Sequence, residues 1–337
     1  MSMLFEEAST CVLQRPLRQK LPVQGPKRKV IVISGPTGVG KTRLSLRLAG
    51  VLGGEIVSAD SMQVYKGMDI GTAKPSKEEL RSIPHHLIDL LSLDEEFSVF
   101  DFYTEASRVL KDIAFRDKVP IVVGGTGFYV HALLYGPPTT PPSIPAIRSR
   151  LEEEMQQKGA EALYAELQRL DPLYARTITQ NDRHKIIRAL EIIALTKNPV
   201  SHFVKEPLLD SPQYDFRCWF LALSLQDLYA KIEKRCDRMI EEGFIDELRR
   251  LDKEGLREHL SASKAIGYRQ GLAFLDSAQT EADFQHFMTE FKKTSRRYAK
   301  RQLTWFRRES DFRWLDVGTL SEERIMDIII QDFDTPQ

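Results

Sequence analysis

The amino-acid sequence predicts an α/β protein: a parallel P-loop sheet flanked by helices, with an all-helical domain inserted into it. Three observations carry that prediction. GPTGVGKT, residues 35–42, directly follows a short apolar run. Further apolar runs alternate with helical stretches, as in a parallel sheet with crossover helices. A proline-rich break at 136–145 is followed by helical patterns alone until about Phe216.

Val30, Ile31, Val32 and Ile33 are apolar and β-branched and read as a central strand. In the loop that follows, Gly35, Gly38 and Gly40 let the backbone turn tightly around Pro36, Thr37 and Val39 and aim N–H groups at an anion. Lys41 adds a charge, and Thr42 offers a hydroxyl to a magnesium ion. Residues 43–49 continue as an amphipathic helix whose N-terminus faces the anion. Every fixed position of the Walker A pattern matches. The motif specifies a phosphate without specifying which one, and by itself it reads as an ATP-binding signature.

Further strands are expected at 55–58, 86–90, 120–124 and 218–224. Between the proline linker and Phe216, helices are expected at 146–158, 160–170 and 182–195. The last has Ile186, Leu190 and Ile193 at helical spacing, with Asn181 placed to cap it. The expected organisation is a flexible N-terminal extension (1–28), a catalytic core (29–142 and 208–337) and a helical insertion (143–207). Beyond Ser224 the chain reads as mostly helical, with Gly243 separating 225–242 from 244–253.

Composition narrows the function. The chain has 337 residues, 42% of them hydrophobic, and equal numbers of basic and acidic side chains, 48 each. A nucleic-acid partner would therefore be met by a local patch. One stands out at 292–308: Lys292, Lys293, Arg296, Arg297, Lys300, Arg301, Arg307 and Arg308, interleaved with Tyr298, Trp305 and Phe306. Cations give salt-dependent phosphate contacts, and aromatics stack on bases. Cys11, Cys218 and Cys236 are too few and scattered for a disulfide framework or a zinc site, which fits a reducing cytoplasm. No apolar run approaches the ~18 residues of a membrane span.

Several constellations could carry chemistry. Asp60 follows the second strand, at the end of the sheet where ligands collect. It reads as a magnesium ligand, a general base, or a turn-forming residue. The loop 67–75 is punctuated by glycine and could reach a substrate. Gly124-Gly125-Thr126-Gly127 ends another strand, allowing close backbone approach with a hydroxyl beside it. Lys231, Arg235 and Arg238 share a helix face; proximity to the phosphate loop would single out Arg235. His85-His86 reads weakly as a metal site, because neighbours on a strand point to opposite faces.

Taken together, GPTGVGKT, SADSMQVYKGMDIGTAKP, PHHLIDL, GGTGFY, NDRHKIIRALE, DLYAKIEKRCDRMIEEGF, AIGYRQ and KRQLTWFRR resemble the tRNA dimethylallyltransferases, also called tRNA isopentenyltransferases, of bacterial type. The resemblance implies transfer of a dimethylallyl group from its diphosphate to the exocyclic amine of the adenosine just 3′ of the anticodon. It implies Asp60 as general base. It implies that Thr126, Arg235, Lys41, the amides of 35–42 and Thr42 with magnesium hold the diphosphate. For tRNA it implies Asp60, Ser61, Met62, Gln63, Thr126, Arg148, Asn181, Asp182, Arg183, His184, Lys185, Lys264, Gly267, Tyr268, Arg269, Gln270, Lys292, Lys293 and Arg296. Lys185 stands where the family usually has arginine, which keeps the cation but loses bidentate geometry. The expected partners are the tRNA anticodon stem-loop and dimethylallyl diphosphate, with no membrane, and the chain is expected to act as a monomer. A small-molecule kinase would share the loop and sheet without needing the insertion. An adenylate isopentenyltransferase and an RNA-binding protein with an inactive loop are further rivals.

Overall fold

Residues 27–203 and 213–335 are described by the computed structural model of the protein. Most of the expected N-terminal extension, Cys11 and the expected return to the core at 208 lie outside the described residues.

Strand β1 (Arg28–Ser34) is buried from Val30 onward, and Val30 to Ile33 are fully enclosed. Each such aliphatic side chain contributes about 1.5–3 kcal/mol. With both faces covered, the strand reads as a continuous apolar run. Its neighbours are β4 (Val119–Val123), with Ile31 opposite Ile121, and β5 (Tyr214–Ala222), with Ile33 opposite Trp219. Adding β2 (Gly54–Ser58), β3 (His85–His86) and β6 (Arg313–Asp316) gives a six-stranded sheet in the order β3-β2-β4-β1-β5-β6, with every pairing parallel.

Helices α1 (Lys41–Leu52), α2 (Lys77–Ser82), α3 (Val99–Phe115) and α4 (Gly127–Tyr135) accompany the first four strands. Ser98 caps α3 through a capping box with Asp101. The expected strand at 86–90 is cut to His85–His86, because Leu87 (φ 62°) and Asp89 (φ 53°) turn the chain left-handed. The amides of Asp89 and Leu90 bond instead to the carbonyls of Gln63 and Val64. His86 meets the buried Glu55 carboxylate at 2.7 Å, while His85 meets the Ile83 carbonyl at 2.7 Å.

By contact density the chain divides into two compact units, Gln24–Gly136 with Asp210–Gln337, and Pro137–Leu209. The second is all-helical: α5 (Pro145–Leu170), α6 (Pro172–Ala175) and α7 (Arg183–Thr196). Gly159 (φ 83°) kinks α5, which accounts for the two helices expected there. Leu151, Leu163, Leu167, Ile186 and Leu190 are in its separate core. Glu191, fully buried, accepts from Ser143 Oγ (2.5 Å), the Ile144 amide (2.8 Å) and Arg188 (2.7 Å). Arg188 also donates to the Pro141 carbonyl, so the proline linker is tied to this unit. Asn181 does not cap α7: the N-cap is Asp182, whose Oδ2 accepts from the preceding Thr179 amide at 2.9 Å.

The larger unit ends in α8 (Leu225–Glu241), α9 (Phe244–Lys253), α10 (Tyr268–Leu275), α11 (Glu281–Phe306) and α12 (Glu322–Asp334). Gly243 (φ 97°) makes the break between α8 and α9. Edge strand β6 is absent from the sequence expectation, since four residues at a sheet edge leave little pattern, whereas α12 falls in the stretch read as mostly helical. Among the described residues no helix is long and apolar enough to cross a membrane.

Candidate active site

Three adjacent strands each deliver one piece of the site at their carboxyl ends. After β1, the loop 35–40 turns through Gly38 (φ 81°) and Gly40 (φ 106°) into the N-terminus of α1. After β4, Gly124 approaches the β2 exit so closely that a Cβ there would lie 2.2 Å from the Ala59 carbonyl oxygen. This packing brings Thr126 beside Asp60: the Ser61 amide donates to Thr126 Oγ1 at 3.1 Å. The Met62 amide donates to Asp60 Oδ1 at 2.9 Å, a local turn that fixes the carboxylate.

Two cations face this carboxylate. Lys41 Nζ donates to the carbonyls of Gly35 (2.8 Å) and Pro36 (2.9 Å). Burial, and then the charge of Arg235, pull the Lys41 ammonium down to about 7, against the opposing attraction of Asp60. Burial also lowers Arg235, with Asp60 again opposing. Neither cation has an ion pair within 4.0 Å among the described residues. Half-buried positive charge without an ion pair favours an incoming anion. Arg235 is thereby separated from Lys231 and Arg238, which are exposed; Arg238 pairs with Glu242 at 3.4 Å. On α8, Arg235 keeps company with the buried Ile232, Cys236 and Met239 instead of a solvated charged face.

A cavity of about 330 Å³ opens here, lined at the loop end by Thr37, Asp60 and Arg235 and beyond it by Met62, Met239 and Phe291. Helix α11 braces it. Gln302 accepts from the Thr37 amide (2.9 Å) and donates to the Gly125 carbonyl (2.9 Å), joining the two glycine loops. Tyr298 bonds to Thr126, and burial and Asp60 push its phenol up.

The loop 67–75 does reach the cavity, through Gly71 and Thr72. Glu247 on α9 holds it, accepting from the amides of Asp69 (3.0 Å), Ile70 (2.6 Å) and Gly71 (3.1 Å) and from the Tyr268 hydroxyl (2.7 Å). Lys74 fastens the far side to Asp69 (2.7 Å) and Asp89 (2.5 Å). Gln63 accepts from Ser58 Oγ (3.0 Å) and donates to the Thr72 carbonyl (3.3 Å).

Gln302 and Glu247 are not among the candidate site residues, and Tyr298 is expected only as a base-stacking aromatic of the basic patch, not as a partner of Thr126. In sequence Gln302 and Tyr298 sit within a basic run, and Glu247 reads as an ordinary first-turn acid of α9. No local pattern distinguishes them.

The other expected residues fall into separate groups. Lys264 and Tyr268 line the cavity. The Gly267 amide donates to Gln270 Oε1 (2.9 Å), and Arg269 is exposed. In the helical unit Arg148 pairs with Glu152 (3.0 Å), and Lys185 lies 3.6 Å from Asp182. Asn181, Arg183 and His184 are exposed there. On α11, Lys292 pairs with Asp237 (2.6 Å), Lys293 with Glu290 (2.7 Å), and Arg296 with Glu233. Arg297, Lys300, Arg301, Trp305 and Arg308 line an open groove, and Arg301 also lines the cavity.

Comparison with known proteins adds a family to this geometry. The family described as IPP transferase matches residues 63–309. A tRNA dimethylallyltransferase of Protochlamydia amoebophila is 52% identical over 94% of this chain and 93% of its own length. Another, of Chlamydia pneumoniae, is 48% identical over 94% and 92%. Among solved structures, a tRNA isopentenylpyrophosphate transferase from Bacillus halodurans matches with a TM-score of 0.66 and 39% identity, covering 91% of this chain and 96% of that one. A eukaryotic dimethylallyltransferase acting on tRNA matches with a TM-score of 0.72 and 28% identity, covering 91% and 80%. With that identity running along nearly its whole length, the chain belongs to the tRNA dimethylallyltransferase family.

Proposed function

We propose that this enzyme, a prenyl transferase acting on tRNA, moves the dimethylallyl group of dimethylallyl diphosphate to N6 of the adenosine 3′-adjacent to the anticodon. The observation that carries this reading is a pair of half-buried cations with no ion pair among the described residues, Lys41 and Arg235, both electrostatically coupled to Asp60, with Arg235 and Asp60 lining one cavity.

In this reading the amides of 35–42, Lys41 and Arg235 grip the diphosphate at the N-terminus of α1. The adenine amine is a weak nucleophile because its lone pair is delocalised into the ring. As N6 attacks the allylic carbon, the carbon–oxygen bond to diphosphate breaks and Asp60 takes the proton that N6 loses. A positioned base is worth about 10²–10⁴-fold. Charge grows on the leaving diphosphate, where fixed cations and amides are most effective. Thr126, held between Ser61 and Tyr298, keeps Asp60 and the β4 loop in register.

Thr42 is exposed in the first turn of α1, and its hydroxyl has no hydrogen-bond partner among the described residues. That fits magnesium, which takes few protein ligands and keeps water and phosphate oxygens. Thr42 would hold the ion, which supplies further neutralisation of diphosphate charge. The target base must leave its stack, which costs a few kcal/mol and costs least in a partly single-stranded loop. The exposed cations of the helical unit and the α11 groove supply phosphate contacts for such an RNA.

The test is transfer of labelled dimethylallyl to an anticodon stem-loop bearing adenosine at that position. Transfer to free AMP instead, or ATP turnover without prenylation, would sink the proposal.

A further inference from the structure

We propose that helices α8 and α11 form a length gauge for the donor hydrocarbon, with Met239 and Phe291 as its floor. The site would then take a five-carbon allylic diphosphate and exclude a ten-carbon one. This inference rests on the reading of the cavity as a prenyl-diphosphate site.

The gauge comes from the register of the two helices. Glu233 meets Arg296, Cys236 Sγ lies 3.7 Å from Ser295 Oγ, and Asp237 meets Lys292 at 2.6 Å. Each step forward along α8 is matched by a step back along α11, so the helices run antiparallel. One end of this ladder is at the phosphate loop. A Cβ on Gly38 would lie 3.2 Å from Ile232 Cγ1, and Gln302 accepts from the Thr37 amide. At about 1.5 Å per residue, Met239 is about 10 Å beyond Ile232, and Phe291 about 16 Å beyond Gln302.

The middle rung, Cys236 and Ser295, is built from small side chains, leaving width for one isoprene unit. A second unit would need the volume that Met239 and Phe291 occupy. Phe291 cannot swing aside easily. Its ring is 5.7 Å from that of Phe244 and 5.9 Å from that of Phe287, and a Cβ on Gly267 would come within 2.9 Å of it. The cavity, about 330 Å³, is at the small end of ligand pockets and must also admit the acceptor base.

The experiment compares dimethylallyl and geranyl diphosphate as donors to the anticodon stem-loop, reading kcat/KM and identifying products by mass spectrometry. The wild type should prefer dimethylallyl by at least ~10²-fold, since even one surplus methylene costs 10-fold or more. Met239→Ala and Phe291→Leu should raise geranyl transfer about tenfold, a gain that misfolding cannot mimic. Ser295→Leu, filling the middle rung, should lose dimethylallyl transfer while still binding inorganic diphosphate. The gauge is overturned if the wild type uses both donors equally. It is also overturned if the enlarged variants transfer dimethylallyl with unchanged length preference, or if Ser295→Leu transfers dimethylallyl normally. A wild type that transfers neither donor would overturn the underlying functional reading instead.

Discussion

Lys41 and Arg235 at the phosphate loop carry the same charges as Lys292, Lys293 and Arg296 on α11, under opposite conditions. The first pair is half-buried, with Lys41 bonded to carbonyls and Arg235 facing a cavity, and has no carboxylate in ion-pair range among the described residues. The second group is matched one for one by Asp237, Glu290 and Glu233. Partly exposed pairs of that kind contribute about 0–1 kcal/mol and need no ligand. Desolvated cations without an ion pair cost stability until an anion arrives. A basic residue near a site is therefore informative through its partner and burial, more than through its charge.

The largest effect should come from Asp60, the carboxylate that faces the unmatched pair. Asp60→Ala should lower kcat by about 10²–10⁴-fold while tRNA affinity, read by filter binding, stays nearly the same. The reverse pattern would make Asp60 a contact or structural residue.

Next is Lys41, whose folded pKa of about 7 lies below its ordinary value of 10.5. Anion binding should draw a proton onto it, so inorganic diphosphate affinity should fall by up to about tenfold per pH unit above 7. Calorimetry in buffers of different ionisation enthalpy would register the uptake, and Lys41→Met should flatten both signals. The sign for stability is opposite. Between pH 7 and 10.5 the unfolded chain binds more protons, so the ligand-free wild type gains stability as pH rises through that window. Lys41→Met should lack that gain, and an equal rise in the variant would remove Lys41 as its source.

Glu247→Gln should cost about 1–3 kcal/mol in urea denaturation, because one oxygen of a carboxylate serving three amides and a phenol becomes an N–H₂ group. KM should rise more than kcat falls if the 69–71 loop shapes the cavity.

Smallest is the salt dependence of tRNA affinity. Removing Arg297, Lys300 or Arg301 should lower the slope by about one each, and removing Lys292, Lys293 or Arg296 by less. Equal slopes would erase the distinction drawn above between matched and unmatched cations.

Much of the site was legible wherever chemistry follows from neighbours along the chain. The phosphate loop, Asp60 and Gly124 to Thr126 each sit at the end of an apolar run, and strand exits share one edge of a parallel sheet. What was not legible depends on side chains meeting across the fold. Asn181 had a capping residue type, yet Asp182 took the position. Arg235 looked like part of a charged face until α8 turned it toward Asp60. Glu247 serves amides far away in sequence, and no spacing rule reports that.

The sequence by itself determined the central strands, the glycine loop after β1 and the positions of Asp60 and Thr126 at strand ends, because these rest on local backbone geometry and hydrophobic period. Tertiary structure decided which cations lack an ion pair, which glutamate holds the loop, and which side chains of α8 and α11 line the cavity. Burial and counter-charge are properties of what surrounds a residue in space, and the order of residues along the chain does not contain them.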